Sequence, residues 1–349
     1  MKRNRVLRLA ALILILLIVA ALTAGCRQTQ HEERPLSGKK FAIVVKSEGN
    51  KYFETIINGF CEVVESQGGT PIVREPSQAT AEEQITIIND LVADKVDCIA
   101  IASNSKTAIA PALKKAIEQG IQVLSFDSAT DPDSRAVHVN QADAQSIAQE
   151  LMNAASDITE GVGQIAIMST TNQANNQNTW IDEMRKLLES GTYPGLTLVN
   201  IVYGEDDYQK TYEKTQFLID TYPELAIIIA PTAAGIPAVA ECITKNGLVD
   251  QIKLTGLGMP SQMAEYIGND KVCPCMFLWD LDKVGKLTAF AAIALVDGII
   301  SGHVGETLMA GEMGQYAITQ DPFGGSEIIS QVAPIRFDGN NIAYWKGAY

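Results

Sequence analysis

The sequence predicts an α/β protein in which strand–helix units build two similar lobes with parallel sheets. Three observations carry that prediction. Short apolar strands alternate with helices of amphipathic spacing from Phe41 onward. The same grammar restarts after Val139 and runs to Leu257, an array of similar size. The run Ile121 to Phe126, too short for a helix and suited to an interior parallel strand, stops at Asp127 and passes straight into turn residues. In open α/β sheets ligands bind outside the carboxyl ends of strands, where strand order reverses, so Asp127 stands where it can grip a polar ligand. An acid that only tidies an Asx-turn is the alternative, and position alone does not separate the two.

The chain opens with an export signal. Lys2, Arg3, Arg5 and Arg8 form a basic head, and Leu9 to Leu22 is an almost unbroken apolar run followed by Thr23-Ala-Gly-Cys26. That run is short for a bilayer core and ends in small residues, which marks residues 1–25 as a secretory signal rather than an anchor helix. Its Leu22-Thr-Ala-Gly-Cys26 ending resembles the lipobox of bacterial lipoproteins. The resemblance implies that Cys26 receives a lipid, becomes the first mature residue and tethers the protein outside the cytoplasm. Residues 26–40 are polar, carry Pro35 and Gly38, and read as a linker.

Of the 27 Lys and Arg, four lie in the basic head, leaving 23 against 41 Asp and Glu, a formal charge of −18 on the mature chain. Nucleic acid is excluded as a partner, since binding it needs a clustered basic face. Apolar residues make up 46% of the chain, the ordinary content of a globular body, and its length allows two domains with proper cores.

The elements follow in order. Phe41–Val45 is a strand; Phe53, Ile56, Ile57, Phe60 and Val64 fall at helical spacing, and Gly68-Gly69 stops that helix. Pro71–Arg74 is the second strand. Thr80-Ala-Glu-Glu83 has capping-box form and opens a helix with Ile85, Ile88, Leu91 and Val92 on its apolar face. Cys98–Ala102 is the third strand, Ala108–Gln119 a helix stopped by Gly120, and Ile121–Phe126 the fourth strand. The second array reads as helix Ala144–Ala155, strand Gln164–Met168, helix Gln177–Leu188 and strand Leu196–Tyr203. Helix Tyr208–Thr221, strand Ala226–Ala230, helix Ala233–Asn246 and strand Lys253–Leu257 complete it. Successive βα steps require right-handed crossovers and parallel sheets covered on both faces, so each lobe is Rossmann-like. The long helix Asp282–Ile300 lies beyond both arrays, and pattern alone does not place it.

From Lys39 to about Gly302 the chain resembles the type I periplasmic sugar-binding proteins of ABC importers, above all the group of rhamnose-binding and autoinducer-2-binding (AI-2-binding) proteins. The matching motifs are Val45-Lys46, Tyr52-Phe53, Phe126-Asp127-Ser128, Val139-Asn140-Gln141, Asn176-Gln-Asn-Thr-Trp180, Ile229-Ala-Pro-Thr232 with Gly235-Ile236, Thr255-Gly-Leu-Gly258 and Leu278-Trp-Asp280. The resemblance implies a ligand cleft between the lobes and a three-strand hinge crossed near Val137, near Trp279 and after about Gly302. The implied lobes are 41–138 plus 281–302, and 139–280 plus 303–349.

The residues make chemical sense beside that resemblance. A sugar offers an apolar C–H face and a ring of hydroxyls, so its site needs flat aromatic surface and groups that accept and donate together. Phe53 and Trp279 supply surface, Asp127 accepts, and Asn176 and Gln177 do both. Lys46 donates and balances Asp127; Pro231 offers a carbonyl and Ala233 an amide at a helix start. The resemblance carries Thr232 and Asp280 into the same site. Ordinary alternatives stand beside each: Lys46 as a solvated strand end, Phe53 as core, Trp279 as a hinge brace, Asn176 and Gln177 as a helix cap or exposed loop.

Catalytic readings find no support. His31, His138 and His303 belong to no nucleophile or metal signature, the glycine pairs make no phosphate loop, and Cys273-Pro-Cys275 offers two thiols where a zinc site needs more ligands. No enzyme activity, metal or cofactor is therefore expected. The expected protein is a monomeric, lipid-anchored solute receptor that delivers a small sugar to an ABC permease. A sensor lipoprotein with the same fold is the second reading, whereas repressors with this core carry a helix-turn-helix where this chain has its signal. On ligand the resemblance divides. AI-2 receptors carry acids where this chain has Asn176 and Thr232, which favours a rhamnose-like deoxyhexose, while Lys46, Asp127, Gln177, Pro231 and Ala233 suit either ligand.

Overall fold

The computed structural model describes residues 36–347, so the signal, Cys26 and most of the linker lie outside the described residues. Strands β1 (Lys40–Val44), β2 (Thr70–Arg74), β3 (Cys98–Ile101), β4 (Gln122–Phe126) and β5 (His138–Ala142) alternate with helices α1 (Lys51–Ser66), α2 (Ala81–Ala93) and α3 (Ala110–Glu118). The second array holds α4 (Ala144–Ile158), β6 (Gly163–Ser169), α5 (Asn175–Glu189), β7 (Leu196–Tyr203), α6 (Tyr208–Thr221), β8 (Leu225–Ala230), α7 (Ile236–Lys245), β9 (Lys253–Gly256) and the short α8 (Pro260–Met263). Then come β10 (Cys275–Leu278), α9 (Leu281–Val296), β11 (Thr307–Met309), β12 (Gln315–Ala317), β13 (Thr319–Gln320), β14 (Ser326–Gln331), β15 (Ile335–Asp338) and α10 (Ile342–Trp345). Among the described residues no helix is long and apolar enough to cross a membrane.

One seven-stranded sheet has the order β13-β14-β5-β4-β3-β1-β2, and a four-stranded sheet has the order β7-β6-β8-β9. All of their pairings are parallel except β13 with β14. Each array repeats the doubly wound order in which the chain runs outward from its first strand in both directions, so each has a switch point beside that strand. The strands there are buried on both faces, as β1 and β3 show, because helices cover both sides of the sheet.

Strand pairing departs from the expected lobe boundaries in two places. Residues 139–280 and 303–349 were expected in the second lobe, yet β5 pairs with β4 through Ser125↔His138, and β14 pairs with β5 through Glu327↔His138. The first sheet thereby gains strands from beyond both expected crossings. The chain passes between lobes after Ala142, at Leu278–Leu281 and between Gln331 and Ile335, where β15 turns to pair with β10. The physical reason is that β14, with Ile328 and Ile329 its only apolar residues, has no apolar run to announce it, while the open edge of β5 offers it a ladder of hydrogen bonds.

Helix α9 packs on α1 at a close crossing. A Cβ on Gly285 would lie 2.1 Å from the Ile56 carbonyl oxygen, and one on Gly59 would lie 2.6 Å from that of Asp282. Two smaller differences are local. The carboxylate of Glu83 bonds Ser77 Oγ and the Gln78 amide instead of returning to the Thr80 amide, although Thr80 Oγ1 does accept from the Glu83 amide at 3.4 Å. Helix α7 begins at Ile236, not Ala233, because the Thr232 carbonyl and hydroxyl turn the chain first by accepting from the amides of Ile236 and Gly235.

Candidate functional site

The ends of β1, β4, β6 and β8 meet around one interlobe cavity with an empty volume of ≈ 470 Å³. From the first lobe come Lys46, Phe53 and Asp127; from the second come Asn176, Gln177, Pro231, Thr232 and Ala233; and Trp279 lies on the crossing segment. Asp280, expected here, is not among the lining residues. Its carboxylate instead caps α9 by accepting from the Lys283 amide at 3.0 Å, and its own amide donates to Gln331 at 3.1 Å, so it serves the hinge.

Lys46 is held from behind by a polar network at the first switch point. The buried Gln84 donates to the carbonyls of Val45 and Ala102 at 3.1 and 2.7 Å and accepts from the Asn104 amide at 2.8 Å. Asn104 in turn donates to the Lys46 carbonyl at 2.9 Å. This leaves the ammonium to reach Asp127 Oδ2 at 3.2 Å. Asp127 itself sits in the left-handed region at φ 57°, a conformation that Asp tolerates better than most residues and that here accompanies a cleft-lining side chain.

The other oxygen of Asp127 ends a relay. Trp279 Nε1 donates to Tyr52 Oη at 2.8 Å, and Tyr52 donates to Asp127 Oδ1 at 2.7 Å, with Gln141 Nε2 at 3.5 Å from the same oxygen. Burial, reinforced by the Asp127 charge, pushes the Tyr52 phenol well above its ordinary pKa. The hydroxyl therefore keeps its proton and remains a donor. A carboxylate that accepts from Tyr52, Gln141 and Lys46 has room for about one more donor, and Asp127 lines the cavity.

Aromatic rings enclose these polar groups. Tyr52 stands edge-on to Phe53 and to Trp279 at centroid distances of 5.0 and 6.2 Å, and Trp180 of α5 lies 5.8 Å from Trp279. Phe53 is both lining and core, since it also packs on Phe126. In the second lobe Gln177 Oε1 accepts from Ser169 Oγ at 2.7 Å and from the Thr170 amide at 3.0 Å, which fixes which end of the amide is spent. The Gln177 amide nitrogen and the Ala233 backbone amide take no hydrogen-bond acceptor among the described residues, so both are available to a ligand oxygen.

Sequence reasoning left out Tyr52, Trp180 and Asp206, which also line the cavity. Tyr52 and Trp180 stand in motifs quoted above but carry no signal that separates a cleft ring from a core ring. Asp206 lies in the acidic run Glu205-Asp-Asp207, where composition cannot say which carboxylate turns inward.

Comparison with known proteins agrees with this geometry. Residues 41–299 match the periplasmic binding protein domain. A solute-binding protein of an ABC transporter from Clostridium phytofermentas, solved with bound L-rhamnose, is 44% identical, with a TM-score of 0.87 over 90% of this chain and 100% of that one. LsrB from Clostridium saccharobutylicum, solved in complex with AI-2, is 22% identical, with a TM-score of 0.81 over 88% of this chain and 99% of that one. The D-ribose/D-allose-binding protein of Pseudomonas aeruginosa is 22% identical over 73% of this chain and 81% of its own length. With two doubly wound lobes, a cavity between their switch points and a family match across most of its length, the chain belongs to the periplasmic binding protein family, among the solute-binding proteins of ABC transporters.

Proposed function

We propose that this protein captures a rhamnose-like deoxyhexose outside the cytoplasm, closes its lobes on it and hands it to an ABC permease, with a lipid on Cys26 as its tether. The observation that carries the reading is the Trp279–Tyr52–Asp127–Lys46 relay inside an aromatic-walled interlobe cavity. It offers a charged hydroxyl acceptor, a cationic donor and flat apolar surface together, which is what a monosaccharide requires and what an anion or an apolar ligand does not. The rhamnose-bound relative at 44% identity supports the choice of sugar, as do Asn176 and Thr232, which can donate as well as accept.

AI-2 is the second reading: Lys46, Asp127, Gln177, Pro231 and Ala233 are compatible with it, and LsrB shares the fold. Calorimetry on the unlipidated protein with L-rhamnose and AI-2 side by side tests the order. L-Rhamnose is expected to bind and Asp127→Ala to weaken it by on the order of 2–4 kcal/mol. Tight binding of AI-2 with no heat from L-rhamnose overturns the ranking, and near-native affinity in Asp127→Ala removes that residue from the site.

A further inference from the structure

Asp206 is a carboxylate on the second lobe, between β7 and α6, facing the same cavity as Asp127 of the first. Its position is built rather than incidental. The Gly204 and Glu205 amides donate to the carbonyls of Ser169 and Thr170 at 2.9 and 2.7 Å, the two residues that also hold Gln177. On the other side Asp207 caps α6 by accepting from the Lys210 amide at 2.7 Å. Between these pins Glu205 and Asp206 both adopt the left-handed backbone, at φ 57° and 53°, a pairing of non-glycine residues that costs energy and persists only where surroundings impose it.

The carboxylate so placed is under-satisfied. Asp206 is exposed to solvent, and of the roughly four hydrogen bonds that a carboxylate can accept it takes a single long one from the protein, from Thr232 Oγ1 at 3.4 Å, so its other lone pairs are open to a ligand. Protein atoms crowd it enough to raise its pKa, a desolvation that Lys46 across the cleft and the Thr232 hydroxyl oppose. Lys46 thus pairs with a carboxylate of its own lobe at 3.2 Å and also lowers the pKa of one on the other lobe. The lining residues carry one cation against two acids.

We propose that Asp206 is the second lobe's hydroxyl acceptor and a specificity determinant of the site: with Asp127 it grips opposite hydroxyl-bearing edges of one neutral sugar, and its charge excludes sugar acids. The inference rests on the reading of the cavity as a sugar site. A ligand hydroxyl would fill the lone pairs that Thr232 leaves open, and it would do so only when the lobes are together, which ties recognition to closure. A uronate or sugar phosphate would meet a second carboxylate that Lys46 cannot neutralise while it serves Asp127.

The test compares wild type with Asp206→Asn and Asp206→Gly, both of which tolerate the left-handed backbone, and with Glu205→Gln as a control beside the site. Thermal shift and calorimetry are run with L-rhamnose, AI-2, D-ribose and D-galacturonate. Without ligand, Asp206→Asn is expected to keep the wild-type melting temperature and Asp206→Gly to melt no lower, both are expected to lose on the order of 10- to 100-fold in affinity, and Glu205→Gln is expected to be unchanged. If AI-2 or D-ribose binds in place of L-rhamnose, the deoxyhexose reading fails while the same variants still judge Asp206 with that ligand. Unchanged affinity in Asp206→Gly overturns the proposal, as does wild-type binding of D-galacturonate as tight as that of the neutral sugar. A wild type that binds none of the four overturns both readings.

Discussion

At the scale of single residues, buried carboxylates in this protein serve different ends according to what surrounds them. Asp127 accepts from Tyr52 and Gln141 and pairs with Lys46. Glu327, on β14 opposite His138, is buried with Asn140 as its hydrogen-bond donor at 2.8 Å, and desolvation first, then Asp321 and Asp143, push its pKa up from 4.5 to about 7. Below pH 4.5 the group is protonated folded or unfolded and has no net effect on stability. As pH rises toward 7 the unfolded chain gives up the proton and the folded one does not, so stability falls through that window, by about 3 kcal/mol in all. Glu327→Gln is therefore expected to melt above wild type at pH 8, with the gap closing near pH 4. A gap that widens on acidification contradicts the account.

Among elements, the pairing of α1 and α9 decides where the aromatic wall stands. Helix α1 begins at Lys51, capped by Asn50 Oδ1 accepting from the Tyr52 amide at 3.1 Å, so its first turn carries Tyr52 and Phe53 to the cleft. Its middle is set by the glycine contact with α9, where helix backbones touch without side chains between them. Gly285→Ala would put a methyl 2.1 Å from a backbone oxygen that cannot move aside. Overpacking of that kind costs about 1–3 kcal/mol, which exceeds the ~1 kcal/mol that alanine gains over glycine in a helix. A lower melting temperature and weaker ligand binding are expected together, and a melting temperature at or above wild type contradicts the close crossing. The periodicity of α1 and α9 was legible from spacing; their contact was not, because it depends on two glycines 226 residues apart.

For the whole molecule, three crossing segments join lobes that share a cavity, the arrangement from which hinge closure follows. Bound ligand touching both lobes stabilises the closed population, so solution scattering is expected to report a smaller radius of gyration at saturating sugar and a ligand recovered unchanged. Identical profiles with and without the bound ligand count against closure, and a product appearing over time counts against a receptor.

The sequence by itself determined the α/β grammar and nearly every helix and strand as far as Leu257, because buried parallel strands and amphipathic helices leave strong local periodicities. Through the family resemblance it also singled out Lys46, Asp127, Asn176, Gln177 and Pro231, of which Asp127 and Pro231 stand directly after strand ends and Asn176 and Gln177 in the first turn of α5. Only the tertiary structure decided which lobe receives β5 and β14, that Asp280 caps a helix, and that Tyr52, Trp180 and Asp206 face the cavity. The place of β14 rests on pairing between segments far apart in the chain, and that of Asp206 on which way a loop carboxylate turns. Neither is encoded in any local period.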